Sequence, residues 1–243
     1  MQIKNVFRRE LYGYFNSPVA YIFLVIFITM TGYFTFGFGG FYEARQADLR
    51  SFFHFHPLIY LVFVPAIAMR LWSEERMSGT IQLLLTLPIT VAQAVIGKFL
   101  AAWAFLGVAL LLTSPMIFTV WYLGSPDNGV IFTSYLGSFL MAGSYLAVGA
   151  FTSSLTKNQV VSFVLSIALC FVILLPSLPM VVDFLRVVLP NGAVEFVASL
   201  GFWVHFESIK RGVIDIGDVV YFVSLIVFML YANVLVIEAK KSA

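Results

Sequence analysis

Charge is what this chain has least of. Only 11% of its 243 residues are Asp, Glu, Lys or Arg, against about 25% in soluble globular domains. With 61% of residues hydrophobic, that scarcity excludes an ordinary soluble protein. There is one cysteine, Cys170, set in an apolar run. An internal disulfide is therefore excluded, and the thiol reads as a small buried apolar group. No polar stretch is long enough for a sizeable soluble domain; the longest piece between clear spans is 183–218. Neither HExxH nor GxSxG occurs, which removes the chemistry those spacings support. Gly97-Lys98 ends like a phosphate-binding loop, but the earlier glycine position is Ala92 and the following residue is Phe99. ATP is therefore not bound here by such a loop. The apolar runs also lack the paired ionisable groups that chemistry inside a membrane needs. No internal repeat and no low-complexity segment is present.

What is there is a series of long apolar runs. At about 20 residues per span, the length accommodates roughly five to seven membrane helices. Residues 1–16 come first. Ile3, Val6, Phe7, Leu11 and Tyr14 recur at helical spacing while Lys4, Asn5, Arg8 and Arg9 fall elsewhere. This pattern predicts a basic amphipathic helix on the membrane surface. The run that follows is too long for a signal-peptide core and lacks a small-residue cleavage site. Spans are expected at Pro18–Phe38, 52–71, 99–123, 130–155, 160–182 and 219–237. Pro18 suits a helix start, and Pro115 predicts a kink in the third span. The fourth span carries Ser134, Ser138, Ala142, Gly143, Ala147, Gly149 and Ser153, small residues that let helix backbones approach closely.

Segment 183–218 is too charged for a simple span and too apolar for a free loop, so one or two interfacial or re-entrant helices are expected there. Its carboxylates Asp183, Glu195, Glu207, Asp215 and Asp218 read as a solvated face. His54 and His56, two apart, do not share a helix face and have no third ligand beside them, so they read as packing residues rather than a metal site.

The stretch Arg70 to Lys98 stands apart from the rest. It concentrates Arg70, Glu74, Glu75 and Arg76, then Gly79-Thr80, Leu83-Leu84-Leu85 and Pro88. So many charges cannot lie in hydrocarbon, and the apolar patch after them is too short to span. Residues 80–86, closed by Pro88, predict a short surface helix within a segment 72–92, placed to receive force from another subunit. With the N-terminus in the cytoplasm and six crossings, nine of the 14 Lys and Arg residues fall inside. That bias puts both termini and the charged stretch in the cytoplasm.

These residues carry a resemblance. Glu74-Glu75-Arg76 with Gly79-Thr80, Leu83-Leu84-Leu85-Thr86, Pro88 and Gly97-Lys98 is similar to the pattern of type-2 ABC exporter permeases. It is most similar to the gliding-motility and nitrous-oxide-reductase-maturation permease group. Tyr14-Phe15-Asn16-Ser17-Pro18, with Ala20 and Tyr21, and Phe206-Glu207-Ser208, with Arg211-Gly212-Val213-Ile214-Asp215, fit the same group. Gln82 stands where members often carry Glu. The resemblance implies an all-α polytopic membrane protein of six transmembrane helices, with the amphipathic interface helix, a coupling helix and the interfacial helices between spans five and six. It implies a permease subunit in the bacterial cytoplasmic membrane that works with a separate ABC ATPase. That ATPase would bind the ATP and Mg, and this chain would hold no cofactor, metal or catalytic residue. A second permease chain, membrane lipid and an extracytoplasmic accessory protein are the implied partners; nucleic acid is not among them. Glu74, Glu75, Arg76, Gly79, Thr80, Leu83, Leu84, Leu85 and Pro88 are the implied ATPase-coupling residues. The other readings are a scaffold or mechanotransmission subunit without its own cargo, and an intramembrane lipid-modifying enzyme.

Overall fold

The structure, a computed structural model, describes residues 2–80 and 89–241. Those residues form helices joined by short turns, with no strand among them. Helix α1 (Gln2–Phe15) turns its apolar side inward at Val6 and leaves Lys4, Asn5, Arg8 and Arg9 exposed. Pro18 opens α2 (Pro18–Tyr33), where its missing N–H costs nothing. The helix widens into a π turn over Phe34–Phe38, and Thr35 donates to the Thr31 carbonyl at 2.6 Å. After α3 (Arg50–His54) come α4 (His56–Ala68) and α5 (Arg70–Ser78). Next are α6 (Val91–Leu111) and α7 (Pro115–Leu123), separated where Pro115 cannot continue the ladder. Helix α8 (Asn128–Leu155) is capped by Asp127, whose Oδ1 accepts from Gly129 N at 2.8 Å. Helix α9 (Gln159–Leu174) is capped by Asn158 in the same way. Then follow α10 (Pro179–Val188), α11 (Asn191–Ala198), α12 (Phe202–Lys210) and α13 (Ile216–Lys241).

Six helical segments are long and apolar enough to cross a membrane: Pro18–Phe38, His56–Ser78, Val91–Leu123, Asn128–Leu155, Gln159–Ser177 and Ile216–Lys240. The chain is thus an all-α, multi-pass membrane protein. Its second, third and fourth spans form the packed centre. The first, fifth and sixth bury only 28%, 28% and 22% of their windows and keep wide apolar faces. The small residues of α8 explain the centre. A Cβ on Gly149 would sit 2.4 Å from the Ala68 Cβ, so α4 reaches α8 only because that position has none. Polar groups tie the same helices: Tyr60 and Ser138 hydroxyls lie 2.7 Å apart, and Tyr145 donates to the Pro57 carbonyl at 3.0 Å.

Several boundaries differ from expectation. The second span begins at His56 rather than residue 52, because Phe55 breaks the helix after α3. It then runs on past residue 71 to Ser78, so Glu74, Glu75 and Arg76 are helical. The third span starts at Val91, not 99, because Thr90 and Gln93 form a capping box. The fifth ends at Ser177, as Pro179 opens α10. Before α13 begins at Ile216, region 183–218 holds the end of α10 and the whole of α11 and α12 rather than one or two helices, divided at Pro190 and Gly201. Of these α10 buries nothing, whereas α12 enters the bundle through Phe202, Phe206 and Ile209. Asp218 is not on a solvated face. It is 8% exposed, and its Oδ1 lies 2.6 Å from His205 Nδ1.

Candidate functional site

The charged stretch gathers at the end of the bundle that carries both termini. Its centre is Lys98, in the second turn of α6, with a side chain only 4% exposed. Capping at Thr90 starts the helix early enough to carry this residue inside. Its Nζ lies 2.8 Å from Glu75 Oε1 on α5 and 3.1 Å from Glu10 Oε2 on α1, and 5.4 Å from the Trp72 ring centre. A buried ammonium persists only with such partners. Next to it, a Cβ on Gly97 would meet Val6 side-chain atoms at 2.8 Å. The missing side chain is what lets α1 lie close enough for Glu10 to reach. Burial raises the Glu10 carboxyl pKa, but Lys98 and Arg9 outweigh it and hold the group below its usual 4.5.

Helix α5 is tied on its other sides as well. Ser153 Oγ accepts from the backbone N–H groups of Trp72 and Ser73 at 3.0 and 3.1 Å, and donates to the Met69 carbonyl at 2.9 Å. The junction between α4 and α5 is thereby satisfied by a side chain of α8. Arg76 donates to the Ser154 carbonyl, and Lys240 donates to the carbonyls of Ser154 and Leu155 at 3.0 and 2.8 Å. Two cations from two helices thus cap the C-terminal end of α8, where orphan carbonyls and the helix dipole favour positive charge. Beside these contacts opens a cleft of about 380 Å³, with Glu10, Arg70, Glu74, Glu75 and Lys98 on its walls.

Of the residues expected to couple, Glu74 pairs with Arg70 at 2.9 Å across one helical turn. Glu75 faces inward to Lys98 and Arg76 reaches α8. Gly79 takes a left-handed conformation, φ 75°, that ends α5. The Thr80 and Ser78 hydroxyls are 2.9 Å apart. Leu83, Leu84, Leu85 and Pro88, and with them most of the expected 80–86 helix, lie outside the described residues.

Sequence reasoning missed Glu10. Its signal was legible: it is the only acid in the first 16 residues and continues the apolar stripe Ile3, Val6, Tyr14 of α1. Lys98 stood in the motif with no role given to it, and Ser153 was read only as small. Among the described residues no group of three His, Cys, Asp or Glu is placed to hold a metal ion. The two ion pairs of Lys98 join helix to helix, which is an arrangement for holding elements together. A family model described as ABC-2 family transporter protein matches residues 5–235. No curated protein sequence matches the chain significantly.

Proposed function

Since the chain belongs to the ABC-2 family of transporter proteins, we propose that this permease subunit docks a separate ABC ATPase on its cytoplasmic face, through the segment that follows α5. ATP and Mg belong to that ATPase. The carrying observation is that Glu75 of α5 shares one buried cation, Lys98, with Glu10 of α1. A push on the end of α5 therefore acts on the surface helix and on the third span together. Arg76 extends the same link to the end of α8. Leu83, Leu84 and Leu85 supply the apolar anchors for the ATPase groove, since a few buried anchors dominate interface energy. The surplus of Lys and Arg at this end supports placing it, with both termini, in the cytoplasm of a bacterial inner-membrane protein. The wide apolar faces of the first, fifth and sixth spans leave room for a second permease chain and for lipid.

The test is retention of the ATPase on tagged permease. Leu84→Asp removes an anchor worth about 1.5–3 kcal/mol and adds an unpaired charge, so retention falls at least about tenfold. Full retention at normal membrane abundance contradicts the docking assignment.

A further inference from the structure

At the opposite end of the bundle a cleft of about 680 Å³ opens between the last turn of the first span, α3 and α12. Arg50, His54, Lys210 and Arg211 line it, with Glu207 as its one acid. The walls are firmly set. Phe53 of α3 meets Phe206 of α12 edge to face at 6.5 Å, and His54 meets Trp203 at 5.4 Å. The end of α12 is braced on α8, where the Ile209 side chain fills the space that a Cβ on Gly137 would take.

The charge does not cancel. Glu207 takes Lys210 at 2.7 Å and Arg211 at 4.0 Å, one carboxylate for two cations. Lys210 is not a solvated surface lysine, since its side chain is 6% exposed. Arg50 has Asp48 at 3.5 Å, and its side chain is 62% exposed. The positive field registers at His54: burial lowers its pKa first, Lys210 lowers it further, and Glu207 opposes them. Phe38 and Phe55 supply apolar lining beside these charges. Phe38 ends the first span and is 67% exposed, and His56 starts the second. The cleft therefore sits at the level where hydrocarbon gives way to headgroups.

We infer that this cleft is a phosphate-binding site, with Arg50 and Arg211 gripping the phosphate oxygens and Lys210 fixing the charge between them. Two guanidinium forks and an ammonium suit an anion with several oxygens. The phosphate belongs to the headgroup of an anionic lipid or to a free phosphate ion. Glu207 faces the same space, so it opposes the anion and sets its affinity.

The experiment uses the full chain in maltoside detergent and follows the ring ionisation of His54 by NMR, assigned against a His54→Gln variant. One arm adds inorganic phosphate against sodium chloride at equal ionic strength. The other adds phosphatidylglycerol without phosphate. A bound anion raises the His54 pKa. A response in the lipid arm alone, or at far lower concentration there, identifies the headgroup; a response to inorganic phosphate alone identifies the free ion. Arg50→Gln and Arg211→Gln, both at exposed positions, each weaken binding about tenfold, and Glu207→Gln tightens it. A His54 that does not respond in either arm, or that responds equally in the Arg50→Gln/Arg211→Gln double variant, overturns the site.

Discussion

At the end carrying the termini, one buried ammonium holds three helices: Lys98 with Glu75 and Glu10. At the other end the helices meet through rings. Tyr145 stacks on Phe202 at 4.4 Å, Phe53 meets Tyr135 edge to face at 5.0 Å, and His56 lies 4.8 Å from Phe52. The difference matters because the two joints fail differently. Ring contacts are short-ranged and shared among many neighbours. An ionic joint depends on every partner staying charged and water staying out, so a single change can open it. The joint beside the charged segment is the one the proposed ATPase would act on.

The largest effect expected from breaking that contrast is at Lys98. Lys98→Met leaves two largely buried carboxylates facing each other beside the cleft, a loss of about 3–5 kcal/mol. It is read by thermal unfolding in detergent together with proteolytic release of α1. Adding Glu10→Leu and Glu75→Leu restores most of the loss, because a buried ion pair replaced by apolar residues is often neutral. If the triple variant is no better than Lys98→Met, the joint is not ionic in the way described.

A smaller effect comes from a polar tie between two helices at the ring-packed end. His205 lies between Asp218 Oδ1 at 2.6 Å and the Ser199 carbonyl at 2.8 Å, and stacks on Tyr221 with ring centres 4.0 Å apart. His205→Phe keeps the stack but strands a buried carboxylate, a loss of about 1–3 kcal/mol in the same unfolding assay. A loss as large as that of Lys98→Met would erase the distinction between the two ends.

The smallest effect is a pH dependence confined to the ionic end. Glu10 has its pKa lowered on folding. Its contribution is therefore complete above the usual 4.5 and disappears as pH falls through the lowered value. Attachment of α1 weakens as pH falls below the usual 4.5 and through the lowered Glu10 value, and Glu10→Gln flattens that limb. An acid limb that persists unchanged in Glu10→Gln assigns the effect elsewhere.

Much of the architecture was legible because a membrane imposes long apolar runs on any helix that crosses it. The first span was placed from Pro18 to Phe38, where it lies. The small residues of 130–155 pointed to the close packing seen at Gly149. What escaped was set by partners distant in sequence. Lys98 looked like a residue that must stay outside hydrocarbon, yet Glu10 and Glu75 let it enter the start of α6. Asp218 looked solvated until His205 folded over it. The third helix of 183–218 was hidden because its charges, Glu207 and Lys210, satisfy each other across one turn of α12.

The central claim, that α1 and α5 move together around Lys98 when the ATPase acts, is tested most directly by spin-label distances in the wild-type assembly. Labels at Arg8 and Met77, both exposed, report the joint, and a Met77–Ser125 pair reports α5 against the far end. On nucleotide binding by the ATPase, the account predicts an unchanged Arg8–Met77 distance and a shifted Met77–Ser125 distance. A widening between Arg8 and Met77, with α5 leaving α1 behind, would contradict it.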